Sequence, residues 1–416
     1  MADNLSTLSS DGLAGTPTGT GARYVLASTW ENAQQTNLVT AGDTATLECY
    51  KGTTVEGAWN ADGELNDNCN INGWTTGATN FITIKAAAGQ EHNGVVDAGF
   101  TMWFPTGNSG AVLRIQAPYT VIQDIQLATI AAGYRRRTSD TQATDVLWQR
   151  VIATMDNTST LEPSQCFFFN TSAAAVDNLI YRNCLAISRN DAGKNAGFVS
   201  FGTTPTNFTV ENCTASNTYQ GFSYPTEVGA AGLVITNCAA TRGTNTPSGW
   251  ICFNTAAADN AINCVSEDLT GTITGLSPTD GVDFVSPSTL DWTPTPTGLL
   301  AGVATDLSGT FTDDITNYTR TLPWDIGAYA IQAAGPEFIG PNIPTIAGTV
   351  GVAFADPTPD PSTASRFTGA ASYALQSGVL PAGITVDPTT GNLIGTPDAG
   401  SDAGSPYTGI VIRGTE

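Results

Sequence analysis

The chain has 416 residues, of which 41% are hydrophobic and only 12% charged, with 44 glycines, 22 prolines and a formal net charge of −22. Charge this sparse, with polarity carried by Thr, Asn, Ser and Gly, is the usage of a turn-rich β protein rather than a helical enzyme. Fifteen basic residues against 37 acidic ones exclude a basic footprint for nucleic acid, and no run of 18 apolar residues offers a membrane span.

In chain order, the opening "MADNLSTLSSDGLAGTPTGTGARYV" has neither a basic nor an apolar leader region. It reads as a cytosolic start, with residues 1–21 as an N-terminal arm. "STWENAQQT" at 28–36 predicts a short helix, with Ser28 or Thr29 as N-cap and Glu31 close behind, placed to lid whatever follows. Short strands then begin with "FITIKAAAG" at 81–89 and "AVLRIQAPY" at 111–119. The basic triplet Arg135-Arg136-Arg137 reads as a solvated loop or subunit contact, flanked by Asp140 and Asp145, which could pair with it. Asn170 and Asn212 open N-x-S/T sequons that read as chance in an Asn- and Thr-rich chain.

A repeat dominates the centre. "LIYRNCLAI" (179–187), "FTVENCTAS" (208–216), "LVITNCAAT" (233–241) and "AINCVSED" (261–268) share a short strand ending in Asn-Cys. Aligned, one column reads Ile125, Val151, Cys184, Cys213, Cys238, Cys264, and the residue before it reads Asp124, Arg150, Asn183, Asn212, Asn237, Asn263. The steps of 26, 33, 29, 25 and 26 residues signal a solenoid. "GFVSF" (197–201), "GFSY" (221–224) and "GWICF" (249–253) suggest a second column of Gly followed by an aromatic, and "CFFFNTSAAAVDN" from Cys166 echoes "CFNTAAADN" from Cys252.

Two or more short strands per step, without helical periodicity, fit a parallel β-helix. Inward positions then stack like on like, and Asn suits the intervening turn because it tolerates left-handed backbone. Propeller blades are longer, and the Leu spacing of leucine-rich repeats is missing. The Cys column reads as reduced, buried thiols acting as small hydrophobes. The state of Cys49 and Cys69 stays open. With one histidine and no C-x-x-C pair, a zinc site is not expected.

Further along, "LPWDIGAYA" at 322–330 resembles the D-I-G-A-[YF] strand on which many right-handed β-helix proteins close. "WENAQQTNLVTAGDTATLECY" with "INGWTTGATNFITIKAAAGQEHNG" resembles the opening of pectate-lyase-like β-helices from phage and environmental sequences. The likeness spans about residues 22–333. Beyond it, "LPAGITVDPTTGNLIGTP" at 380–397 is similar to a signature of immunoglobulin-like bacterial and phage modules. Leu380, Pro381, Gly383, Asp387, Thr390, Gly391, Ile394, Gly395, Thr396 and Pro397 match it, while Ile384 replaces a Leu. The expected fold is all-β: a right-handed parallel β-helix over 22–335 with an N-terminal cap, then a small Ig-like β-sandwich over 336–416.

The β-helix resemblance also implies a possible polysaccharide lyase or hydrolase, which needs a basic residue with a carboxylate cluster or two or three carboxylates on one face. Candidates are Asp140, Asp145, Asp177, Glu211 and Glu227. Asp177 beside Asn178 reads as a turn, and Glu211, alternating with inward Val210, as a solvent-facing residue. His92 in "GQEHNG" has no nucleophile elbow beside it and reads as a turn residue. Asp313-Asp314 reads as a solvated loop rather than a cation site. Trp103, Trp148, Trp250 and Trp324 could line a sugar groove but read mostly as core, Trp250 within the aromatic column.

No catalytic, cofactor or metal residue is therefore assigned. The expected function is that of a non-enzymatic virion protein of a tailed phage: a capsid decoration or head-spike protein that stabilises the particle or adheres to surfaces. The alternatives are a tail fibre or tailspike, or a carbohydrate-active β-helix. Expected partners are further copies, as in a trimer, the major capsid or other virion proteins, and surface glycans.

Overall fold

The computed structural model describes residues 3–9, 15–18, 20–52, 64–104, 110–131, 136–157, 164–170, 176–189, 194–201, 206–224, 232–242, 251–254, 260–268, 270–331, 337–338, 367–368, 372–377, 380–389, 393–398 and 411–415. The chain divides into two units, 1–331 and 332–416.

The first unit is a coil of three parallel sheets. Successive strands visit each sheet in turn, as Thr120–Gln123, Gln126–Ala131 and Arg137–Thr141 do before Val146–Gln149 returns to the first. Among the described residues the sheets hold ten, nine and seven strands, and their strands pair in parallel with the neighbouring coil. Parallel crossovers of this kind are right-handed. The coil is the expected β-helix.

Register stacks like on like. Ile84, Ile122, Trp148, Tyr181, Val210 and Ile235 occupy one inward column of the first sheet, and all are at most 1% exposed. In the third sheet Phe167, Phe198, Phe222 and Phe253 stack face to face, with centroids 4.7, 4.9 and 4.8 Å apart. That spacing is the strand spacing of a sheet. The pairing of Phe222 with Phe253 corrects the sequence alignment, which had put Trp250 opposite Phe222. Trp250 lies outside the described residues. Cys252 instead follows Gly197 and Gly221 in register, and a Cβ at Gly221 would sit 2.6 Å from the Cys252 carbonyl oxygen.

Three expectations about the ends change. Asp3–Leu8 is not a detached arm: it is a strand of the first sheet, between Thr44–Cys49 and Arg23–Tyr24. The lid helix exists as Ala27–Gln34, but Leu26 is its N-cap and makes no side-chain bond. The carboxylate of Asp67 caps it from outside, accepting from Ser28 N and Ser28 Oγ at 2.8 Å each. Under the lid Trp30 packs against Trp74 with the rings tilted by 33°, and buried Glu31 accepts from Asn72 N and Trp74 Nε1. Finally, "LPWDIGAYA" is not a strand. It belongs to a strap, residues 300–331, that crosses the flank of the coils.

The strap exists because the outer face of the second sheet is apolar. Ile152, Leu185, Ile187, Ala239 and Val265 point outward there and pack with Leu276, Phe284, Trp292, Leu300, Ile315, Ile326, Ala328 and Tyr329 in a second core. Arg320 is buried in it, donating to the carbonyls of Asp313, Asp325, Gly327, Ala328 and Tyr329 and to Asn183 Oδ1. Burial lowers its pKa to about 10.

In the second unit the described strands pair antiparallel: Glu337–Phe338 with Phe367–Thr368, Ser372–Ser377 with Val411–Thr415, and Ile384–Val386 with Leu393–Gly395. Gly383 (φ 85°) and Gly395 (φ 120°) face each other, and a Cβ on Gly395 would lie 2.0 Å from the Gly383 carbonyl oxygen. The signature keeps glycine there because two backbones meet.

Candidate functional site

The turn between first and second sheets is a ladder of left-handed residues: Asp124, Arg150, Asn183, Asn212, Asn237 and Asn263, with φ between 49° and 63°. The following column, Ile125, Val151, Cys184, Cys213, Cys238 and Cys264, is 0% exposed throughout. All eight cysteines, Cys49 and Cys69 included, are free and buried. Cys184 N donates to Cys213 Sγ and Cys238 N to Cys264 Sγ, at 3.4 Å each, and burial pushes Cys184 and Cys238 well above the usual thiol range. Burial acts on Cys213 between them too, but hydrogen bonds from its neighbours pull it the other way, to about 5. None of the column reaches solvent, and the thiols serve as core.

The strap docks on the ladder. Asn237 Nδ2 donates to Thr305 O and its Oδ1 accepts from Thr305 N, both at 2.8 Å. Asn212 Nδ2 reaches Asp325 O, Asn183 Nδ2 reaches Asp313 O, and Arg150 pairs with both Asp124 and Asp313. Burial opposes the charge on Arg150, but the two carboxylates outweigh it and raise its pKa. Where strap and ladder meet lies a shallow polar cleft of about 180 Å³, lined by Glu91, Asn93, Asp124, Ile315, Thr316 and Asn317.

Of the two carboxylates in that lining, Glu91 is half-buried and Asp124 is paired. Asp124 is held by the Arg150 guanidinium through both oxygens, at 2.6 and 2.9 Å. His92 opens the turn expected of it, its carbonyl accepting from Val95 N at 2.8 Å, and is buried, 1% exposed. Its Nδ1 accepts from Gly94 N at 2.9 Å and its Nε2 faces Arg150 O at 2.8 Å. Burial lowers its pKa to about 4, so both nitrogens are committed and the ring is neutral.

The other candidates are spent on their neighbours. Asp140, 0% exposed, accepts from Arg114 one coil below and from Arg137, at 3.0 Å each; Arg137 also lies 3.8 Å over the Phe168 ring. Arg136 is buried, contrary to the solvated-loop reading, and Arg135 lies outside the described residues. Asp145 pairs with Thr144 and Asn178, not with an arginine. Asp177 accepts from Asn178 N and Asn207 Nδ2.

Glu211 corrects a sequence reading. It points outward from its strand, yet is only 9% exposed. Arg182, its register partner, binds it at 3.0 Å and lies under Phe311 of the strap, 4.6 Å from the ring centroid. Burial raises the Glu211 pKa despite Arg182. Glu227 lies outside the described residues. Asp314 is no solvated loop residue either: it is 0% exposed and accepts from Thr316, Tyr318 and Ala330 N. Trp148 and Trp324 are core, while Trp103 is half-buried. Among the described residues, no three His, Cys, Asp or Glu side chains cluster as a metal site would need, and no helix is long and apolar enough to cross a membrane.

The sequence reading missed a second left-handed ladder. Tyr119, Asp145, Asn178, Asn207 and Gly232 each stand five residues upstream of a first-ladder member, with φ of 51°, 56°, 52°, 57° and 120°. They open the strands of the first sheet, and Asn178 and Asn207 are exposed.

Comparison with known proteins bears on the second unit. Residues 336–413 match a family model described as "Putative Ig domain". No curated protein matches the chain. Among solved structures, the pectin methylesterase of Aspergillus niger in deglycosylated form is similar over 67% of this chain and 92% of its own, at 12% identity and a TM-score of 0.34. A penultimately deglycosylated form of the same enzyme scores 0.33 at 11% identity over the same shares of the two chains. Likeness at that level carries no argument; the β-helix rests on its own strand order.

Proposed function

We propose that the chain is a non-catalytic structural and adhesive component of a tailed-phage particle, a capsid decoration or head-spike protein pairing a coiled shaft with an Ig-like module. The observation that carries the non-catalytic reading is the fate of the charges. Lys85 pairs with Glu48, Arg114 with Asp140, and Arg182 with Glu211, each across directly registered strands. Arg150 joins Asp124 in the same way between turns. A scarce set of cations is thus used to tie coil to coil, and the candidate carboxylates Asp140 and Glu211 are among those consumed.

The phage setting is supported by the resemblance of the front segment and by the Ig-like module. A coil packed with stacked aromatics, lidded at one end and strapped along its flank suits a part that must stay rigid outside a cell. Further copies and the major capsid protein are its partners in this reading. The test is location: density-purified particles labelled with an antibody against 336–416 carry the label on the capsid. Particles without any label overturn the virion assignment, and label confined to tails moves the protein to a fibre.

A further inference from the structure

The strap leaves much of the first sheet's outer face bare. Register places Val121, Leu147, Ile180, Thr209 and Val234 in one outward column. Val234 is 41% exposed and the rest are half-buried. Five strands make a track about 20 Å long. One rail is the neighbouring polar column, where Gln149 binds Asp313 and Arg182 lies under Phe311. The other rail is the second ladder, where Asp145 accepts from Asn178 and Asp177 from Asn207.

We propose that this track binds a neutral, hydroxyl-rich polysaccharide lying along the coil axis. The proposal rests on the adhesive part of the preceding reading and gives it a ligand class and a place. Charge selects the occupant. The rail carboxylates are already engaged by amides, and Arg182 is committed to Glu211, so no cation awaits a uronate or sulfate group. A net charge of −22 repels acidic polymers. What the track offers is an aliphatic floor for the C–H face of a sugar, with the amides of Asn178 and Asn207 and the Thr209 hydroxyl as donors and acceptors for its hydroxyls. Coils repeat every ~4.8 Å, close to the length of one pyranose ring in an extended chain. Successive rings therefore meet similar floor positions.

Native electrophoresis of the full chain through gels containing a neutral glucan or galactomannan, or polygalacturonate or alginate, tests this. The neutral polymers retard the wild type and the acidic ones do not. Ile180→Arg and Val234→Arg each weaken retardation at least tenfold, with unchanged melting because both side chains point outward, while Val303→Arg on the strap leaves it intact. Retardation that Ile180→Arg and Val234→Arg leave unchanged overturns the track but keeps adhesion, which then resides elsewhere. Retardation by acidic polymers alone overturns the ligand class. A wild-type oligomer that Ile180→Arg converts to monomer makes this face a contact between copies and overturns the proposal. Failure to bind any polymer removes the adhesive reading itself, and the track with it.

Discussion

The two left-handed ladders make the same backbone demand and meet opposite surroundings. Asn183, Asn212 and Asn237 are 0% exposed beneath the strap, whereas Asn178 and Asn207, five residues upstream in their coils, are exposed. The buried ladder needs Asn twice over. Its backbone must turn left-handed, and its amide must also satisfy strap groups such as Thr305 N and O. The exposed ladder needs only the turn, and accepts Tyr119, Asp145 and Gly232 alongside Asn. One repeat therefore carries two kinds of constraint, and only the first is also a tertiary joint.

The comparison is broken most severely at Arg320. Removing a buried guanidinium that serves five carbonyls leaves them without donors, so Arg320→Met should cost about 3–5 kcal/mol in denaturant unfolding of the coil. A loss below about 1 kcal/mol would mean that the apolar second core alone holds the strap. Next comes Asn237→Ala. It combines left-handed strain with two orphaned Thr305 groups, for about 3 kcal/mol, and Asn237→Gly should recover only the backbone share of about 1 kcal/mol.

Acid probes the same joint. The native pKa of His92 is lowered to about 4, below its unfolded value, so the unfolded chain binds the extra proton first. The His92 contribution is complete above pH ~6.5 and is lost as pH falls towards 4, by about 3 kcal/mol. Unfolding midpoints compared at pH 7 and pH 4 should drop less in His92→Gln than in the wild type. An equal drop in both would show that the imidazole is not the sensor. The smallest effect belongs to the exposed ladder. Asn178→Ala should cost about 1 kcal/mol and Asn178→Gly almost nothing; losses matching those at Asn237 would erase the distinction between the ladders.

What the sequence revealed follows the same division. The Asn-Cys column was legible because stacking forces one residue type into one place coil after coil. The second ladder was equally periodic, but Tyr119 and Gly232 disguise it. Trp250 was placed in the aromatic column because a Gly-aromatic pair recurs there; spacing alone cannot sense a three-residue offset, and hydrogen-bonded register puts Phe253 in that column. Alternation correctly turned Glu211 outward, but alternation says nothing about what covers an outward face. The strap that covers it has no period and left no repeat to read. Asp3–Leu8 was missed because "DNLSTL" buries Ser6 and Thr7, a polar strand without an apolar pattern.

The central claim is that the charged groups of this coil tie its rungs together and transform no substrate. The most direct test incubates the full chain with pectin, polygalacturonate, alginate and neutral glucans, and measures released reducing ends, unsaturated uronates and methanol. The account predicts product no higher than in the protein-free control with every polymer. Product from any of them that is lost in Glu211→Gln or Asp140→Asn variants of unchanged melting temperature would contradict it.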